Sequence, residues 1–216
     1  MNKIEIDERD IIDFIFDTLY SSKISLENLE NAKFHHNTNY KNAPLVCRYG
    51  IMPLLELNKI GIRNDSKELL KRMDDTESHI NGNDGISLAV LGLKDLYSYE
   101  NEYNPLDPRV VDFIISNNIK AHRNTLHYGN EYIHYGSIEL ENILSLDFRL
   151  LEYISLKENN QVTRNKLIEM YNCLLEAVIN IKQLESGLLL REMSLNNSFG
   201  IDIDKFSKSN SLILKK

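Results

Sequence analysis

Tyr128-Gly129-Asn130-Glu131-Tyr132-Ile133-His134-Tyr135 is bracketed by glycine at 129 and 136 and is rich in strand formers. Side chains alternate along a strand, so Glu131, Ile133 and Tyr135 share one face while Asn130, Tyr132 and His134 share the other. A carboxylate is thereby placed in line with an isoleucine and a tyrosine. Such a charge is costly unless something pairs with it or water reaches it. It is either a solvated strand end or a charge kept because it has a task.

Working outward, the neighbouring segments are short and mostly extended. Phe34–Thr38 reads as a strand with Phe34, His36 and Thr38 on one face and His35 and Asn37 on the other. A turn over 39–42 leads into a helix over 43–49, with Pro44 near its first turn, where a missing N–H does no harm. Gly50 suits the left-handed closure of that helix, and Ile51 is the apolar contact after it. Ile86–Leu91 reads as a buried strand with one polar member, Ser87. Strands are also expected over 110–116 and 119–123. Loops are expected over 74–85, rich in Asn, Asp and Gly, and over 93–108, which carries Tyr97, Tyr99 and Tyr103.

Helical periodicity dominates the two ends. Apolar spacing predicts helices over 7–20, 25–31, 65–73 and 162–193, the last with a stripe from Leu167 to Leu184, and a segment over 138–156 that is helical in whole or in part. The final residues lack a period and read as a frayed tail. Strands without βαβ alternation indicate an α+β fold. The expected layout is a unit over 1–156, with N-terminal helices over 7–31 and a β-rich core over 34–137. A long C-terminal helix comes next over 157–195, then a flexible tail over 196–216.

Composition narrows the function classes. The chain has 216 residues, 42% hydrophobic and 26% charged, as in globular proteins. No apolar run is long enough for a membrane span, and the acidic, polar start is unlike a secretory signal, so a cytoplasmic protein without a membrane partner is expected. The net charge of −7 argues against general nucleic-acid affinity. Cys47 and Cys173 are the only cysteines and are expected to be reduced thiols. His122, His127 and His134 lie near Glu131 without the tight spacing of a metal site, so no metal is expected.

Three segments, in order, resemble the signature of histidine/glutamate-type ADP-ribosyltransferases, the type that includes poly(ADP-ribose) polymerases and diphtheria-like toxins. His36-Asn37-Thr38, the short helix and Gly50-Ile51 are similar to its opening part. Ile86-Ser87-Leu88-Ala89 is similar to its central strand. Asn130-Glu131-Tyr132-Ile133 and Tyr135 resemble its glutamate strand, and the segment 138–144 resembles the apolar element after that strand. The likeness covers roughly residues 34–145. Asn37 stands where the polymerases carry glycine. Gly129 occupies the place of the first acid in the Glu-x-Glu of arginine-modifying toxins, which points away from arginine as acceptor.

The resemblance implies a split β-sheet core and an enzyme, either a toxin or effector or a regulatory protein, that transfers ADP-ribose from NAD to a macromolecular acceptor, protein or nucleic acid. It implies that Glu131 and His36 are catalytic, and that His36, Asn37, Thr38, Ser87, Tyr97 and Tyr99 bind NAD, which is consumed as substrate without a metal. Arg48 or Arg63 is assigned to the pyrophosphate on charge alone. Breaking the nicotinamide–ribose bond makes the ribose cation-like, and a fixed carboxylate on a ribose hydroxyl stabilises that charge. Two other readings stand beside this one. In the first, the stripe of the long helix serves a homodimer or a neutralising partner without catalysis. In the second, the chain is a degenerate transferase that only binds a nucleotide.

Overall fold

The computed structural model describes residues 8–63, 84–92, 111–124, 131–158, 162–194 and 197–210. In chain order these form α1 (Glu8–Ser21), β1 (Lys23–Ile24), β2 (Ala32–Thr38), α2 (Ala43–Tyr49), α3 (Leu54–Lys59), β3 (Gly85–Val90), β4 (Val111–Ser116), β5 (His122–Arg123), β6 (Glu131–Tyr135), β7 (Ile143–Phe148), α4 (Leu150–Glu158), α5 (Arg164–Gln183), β8 (Leu189–Ser194), β9 (Asn197–Ile201) and α6 (Ile203–Asn210). The fold is α+β. All nine strands join one mixed sheet in the order β1-β9-β8-β7-β4-β2-β3-β6-β5. Only β7 and β8 run parallel, and the long connection such a pair needs is supplied by α4 and α5.

The sheet has one apolar face and one polar face. Phe34, Phe113, Ile115, Leu146, Phe148 and Leu190 bury themselves in a core shared with Val46 and Cys47 of α2 and Leu167, Met170, Leu174 and Val178 of α5. Each such side chain contributes about 1.5–3 kcal/mol by leaving water. Most of the α5 stripe is therefore covered within the chain, while Leu184 at its end is exposed. Asn180 of α5 donates to the Pro44 carbonyl at 2.8 Å, and Tyr40 donates to Glu169 at 2.8 Å, which fixes α2 and the turn before it against α5. Cys47 is buried and Cys173 half-buried; both are free, and burial pushes the Cys47 thiol up to about 12. No helix among the described residues is long and apolar enough to cross a membrane.

Several expected elements differ. The segment 25–31 is not helical; the chain instead leaves Lys23–Ile24 as an edge strand paired to Ile201 and Gly200. A side chain at Gly200 would lie 2.8 Å from Ile24, so the glycine admits this approach. The segment 138–156 divides into a 3-10 turn (Leu140–Asn142), β7 and α4. Strand β7 is central and buried on both faces, so its apolar spacing mimics a helix. The long helix ends at Gln183, not near 193, because Glu185 adopts a left-handed turn (φ 48°) before Gly187. The expected frayed tail contains β9 and α6, with Phe206 fully buried; residues 211–216 lie outside the described residues. The sheet thus draws strands from both ends of the chain, and the C-terminal part completes it. The helix expected over 65–73 lies outside the described residues.

Candidate active site

Strand β2 lies between β4 and β3, and its two pairings are unequal. With β4 it is paired from Ala32 to Thr38, in unbroken register from Phe34 onward, but with β3 it is paired only at Phe34–Val90 and His35–Ala89. Continuing that register, the next ladder bond would join the Asn37 N–H to the Ser87 carbonyl. The His36 ring stands there instead, its Nδ1 3.0 Å from the Ser87 carbonyl oxygen. A carbonyl only accepts, so Nδ1 carries the proton.

Strand β3 pairs with β6 from Gly85 to Ala89, Ala89 opposite Glu131 and Ser87 opposite Ile133. Paired residues share a face, which places His35, Ala89, Ser87 and Glu131 on the polar face. His36 leaves β2 on the other pleat, with Phe34 and opposite Phe113. The two proposed catalytic side chains therefore do not face each other across a pleat. They meet at Ser87, whose carbonyl takes the His36 ring and whose hydroxyl donates to Glu131 Oε1. The second Glu131 oxygen, Oε2, accepts from Asn124 Nδ2 at 2.9 Å. The Asn124 backbone N–H also donates to the Glu131 carbonyl at 2.9 Å, so this residue grips the strand twice.

The ends of β2 and β6 are tied by the closure after α2. Gly50 has φ +81° and donates to the Val46 carbonyl at 2.9 Å. Ile51 then exchanges two backbone bonds with Ile138, at 3.0 and 2.8 Å. Ile138 comes three residues after β6, so the histidine segment and the glutamate strand are clamped through it.

The other proposed residues have definite places. Thr38 accepts from Asn42 Nδ2 at 2.8 Å, closing the turn toward α2. Asn37 is half-buried on the polar pleat, opposite Asp112. Arg48 and Arg63 are exposed, and the Arg48 guanidinium lies 5.4 Å from the Tyr49 ring. The His134 ring is used on the Lys120 and Ser137 carbonyls, at 2.8 and 3.3 Å. Tyr97 and Tyr99 lie outside the described residues, as do Asn130 and His127. Two hollows outlined by the described residues lie along α5 and beside β8 and β9.

Reading the sequence did not find the charged groups that continue this polar face across the sheet. His35 Nδ1 is 3.2 Å from Asp112, which also lies 4.0 Å from Arg149. Asp147 pairs with Arg191 at 3.0 Å and accepts from Ser145 at 2.8 Å. Burial raises Asp147 to about 6 against the opposing pull of Arg191. The signal was present: Asp112 and Asp147 are lone acids inside apolar runs, Val-Val-Asp-Phe-Ile-Ile and Ile-Leu-Ser-Leu-Asp-Phe. Asn124 gave no such signal, since an asparagine at the end of an expected strand reads as a turn residue.

Comparison with known proteins finds no family model, no curated protein and no solved structure that matches this chain.

Proposed function

We propose that this chain is an NAD-dependent ADP-ribosyltransferase that cleaves the nicotinamide–ribose bond and transfers ADP-ribose to a macromolecular acceptor. The observation that carries the reading is the meeting of His36, Ser87 and Glu131 from three strands at the place where β2 and β3 stop pairing. That parting supports reading the sheet as the split sheet of the transferases. The reading also gives Asn37, at the parting, to the nicotinamide carboxamide, and Thr38 to the ribose of the adenosine. Tyr97 and Tyr99 keep the role of stacking on the nicotinamide ring, on the resemblance alone.

The chemistry asks for one fixed negative charge. As the C1′–N bond breaks, neutral nicotinamide leaves with the bonding electrons and the ribose becomes cation-like. Each Glu131 oxygen accepts one neutral donor and retains a second acceptor direction for a ribose hydroxyl. His36, its Nδ1 proton given to the Ser87 carbonyl, is assigned to a ribose hydroxyl on the resemblance. The acceptor's nucleophile then bonds to C1′ and loses its proton.

Release of nicotinamide from labelled NAD, with transfer of label to cell-extract protein or nucleic acid, tests the proposal. Activity that persists in Glu131→Gln defeats it. Tight NAD binding without turnover marks the degenerate binder instead. The reading as a helical interaction module stands beside it: most of the α5 stripe packs in the chain's own core but Leu184 at its end is exposed, and a dimer in solution that does not turn over NAD marks that outcome.

A further inference from the structure

We propose that Asn124, at the end of β5, is the positioning residue for the Glu131 carboxylate. It aims that charge at the reacting ribose without neutralising it. The inference rests on the transferase reading for its chemical meaning; the contact behind it is testable separately.

Three observations carry it. First, Asn124 is buried, 5% exposed, although it comes after a strand of only two residues at the rim of the sheet. A buried amide must have partners for its polar atoms, so a rim asparagine in this place is costly unless it is used. Second, it holds Glu131 twice, by its backbone N–H to the Glu131 carbonyl and by Nδ2 to Oε2, both at 2.9 Å. A side chain gripped at both ends has lost its freedom to turn. Third, the two donors on the carboxylate, Ser87 and Asn124, are on opposite oxygens and are both neutral. Among the described residues no ion pair to Glu131 is formed. A lysine or arginine in either place would orient the group equally well, but it would cancel the charge that the cation-like ribose needs. A hydroxyl and an amide orient it and leave the charge whole. The pair of donors also leaves one acceptor direction on each oxygen for a ribose hydroxyl.

Asn124 touches neither substrate nor reacting atoms in this arrangement, so its removal acts through Glu131. Loss of the amide lets the carboxylate swing about its own bonds, and a displacement of about 1 Å costs on the order of 100-fold in rate. Substrate affinity depends on many other contacts, so KM for NAD changes little.

The experiment measures nicotinamide release by the full chain carrying Asn124→Ala and Asn124→Asp, from pH 5 to 8, beside the unmodified protein. Asn124→Ala is expected to lower kcat by about 100-fold with KM for NAD within about threefold. Asn124→Asp has the same shape but replaces the donor with an acceptor. It is expected to be poor at pH 8 and to regain activity relative to the unmodified protein as pH falls, because protonating the new acid restores a donor to Glu131. A merely structural role does not produce that recovery. Unchanged kcat in both variants, or equal losses at every pH, overturns the inference. The contact is read without activity by NMR: the Asn124 side-chain NH2 signal is expected to move in Glu131→Ala. If it stays in place, the pair does not exist and the inference falls, even in an active enzyme. If it moves in a protein that never turns over NAD, the transferase reading fails and the positioning of Glu131 by Asn124 stands.

Discussion

Ile51 and Ile138 exchange two backbone hydrogen bonds, at 3.0 and 2.8 Å, and so join the segment carrying His36 to the strand carrying Glu131. The pair is reached only because Gly50 precedes it: a Cβ at Gly50 would lie 2.2 Å from the Ile138 carbonyl oxygen. Its φ of +81° adds a conformational penalty for any other residue. Gly50→Ala is therefore expected to destabilise the fold by about 2 kcal/mol or more and to lower activity with it, as read by denaturant unfolding and nicotinamide release.

The charge of Glu131 separates the proposed chemistry from mere shape. Glu131→Gln keeps the size and an acceptor oxygen for Asn124 or Ser87 but removes the negative charge. Nicotinamide release should fall by about 100- to 1,000-fold, while the unfolding midpoint shifts little. A parallel loss of stability and activity in this variant counts against a catalytic role.

Glu192 gives the fold a pH dependence with a definite sign. It is fully buried, accepts the Leu150 and Leu151 N–H groups at 3.1 and 3.2 Å, and takes the Ser194 hydroxyl, so it caps the start of α4. Burial raises it from 4.5 to about 7, with the hydrogen bonds opposing. The folded chain thus holds a proton that the unfolded chain releases above its ordinary value. Stability contributed by this group is greatest below about 4.5, falls as pH rises toward about 7 and is level beyond. Asp147, raised to about 6, acts in the same direction. Between pH 5 and 8 the combined change is on the order of a few kcal/mol, at about 1.4 kcal/mol for each tenfold difference in proton affinity between folded and unfolded chain. Melting curves from pH 5 to 8 should show it, and Glu192→Gln should flatten it.

Phe206 tests whether the C-terminal end belongs to the fold. It is fully buried in α6 and meets the Tyr171 ring of α5 edge-on, with centroids 6.1 Å apart. Phe206→Ala is expected to cost about 3–5 kcal/mol, measured by urea unfolding. A frayed end would show no loss.

The sequence was informative where local chemistry decides local structure. Pro44, Gly50 and the Asn-rich turn mark α2 at both ends, the apolar run from Ile86 marks β3 and the alternation around Ile133 marks β6. It was misleading where tertiary contacts supply what the pattern lacks. Leu188, just before β8, and Leu190, Glu192 and Ser194 within it are buried on alternate positions, half of them polar, so no amphipathic strand is visible. Glu192 is acceptable there only because the start of α4, some forty residues earlier in the chain, donates to it.

Residue types and their spacing alone determined the α+β class, the closure at Gly50 and the oddity of Glu131 on its strand; the resemblance added His36 and Ser87. Only the tertiary structure decided that the C-terminal residues finish the sheet, that His36 reaches Glu131 by way of Ser87, and that Asn124 holds the other carboxylate oxygen. The reason is that a strand's own sequence sets which residues alternate, whereas its partners and register are set by segments far away, and these choose what each side chain meets.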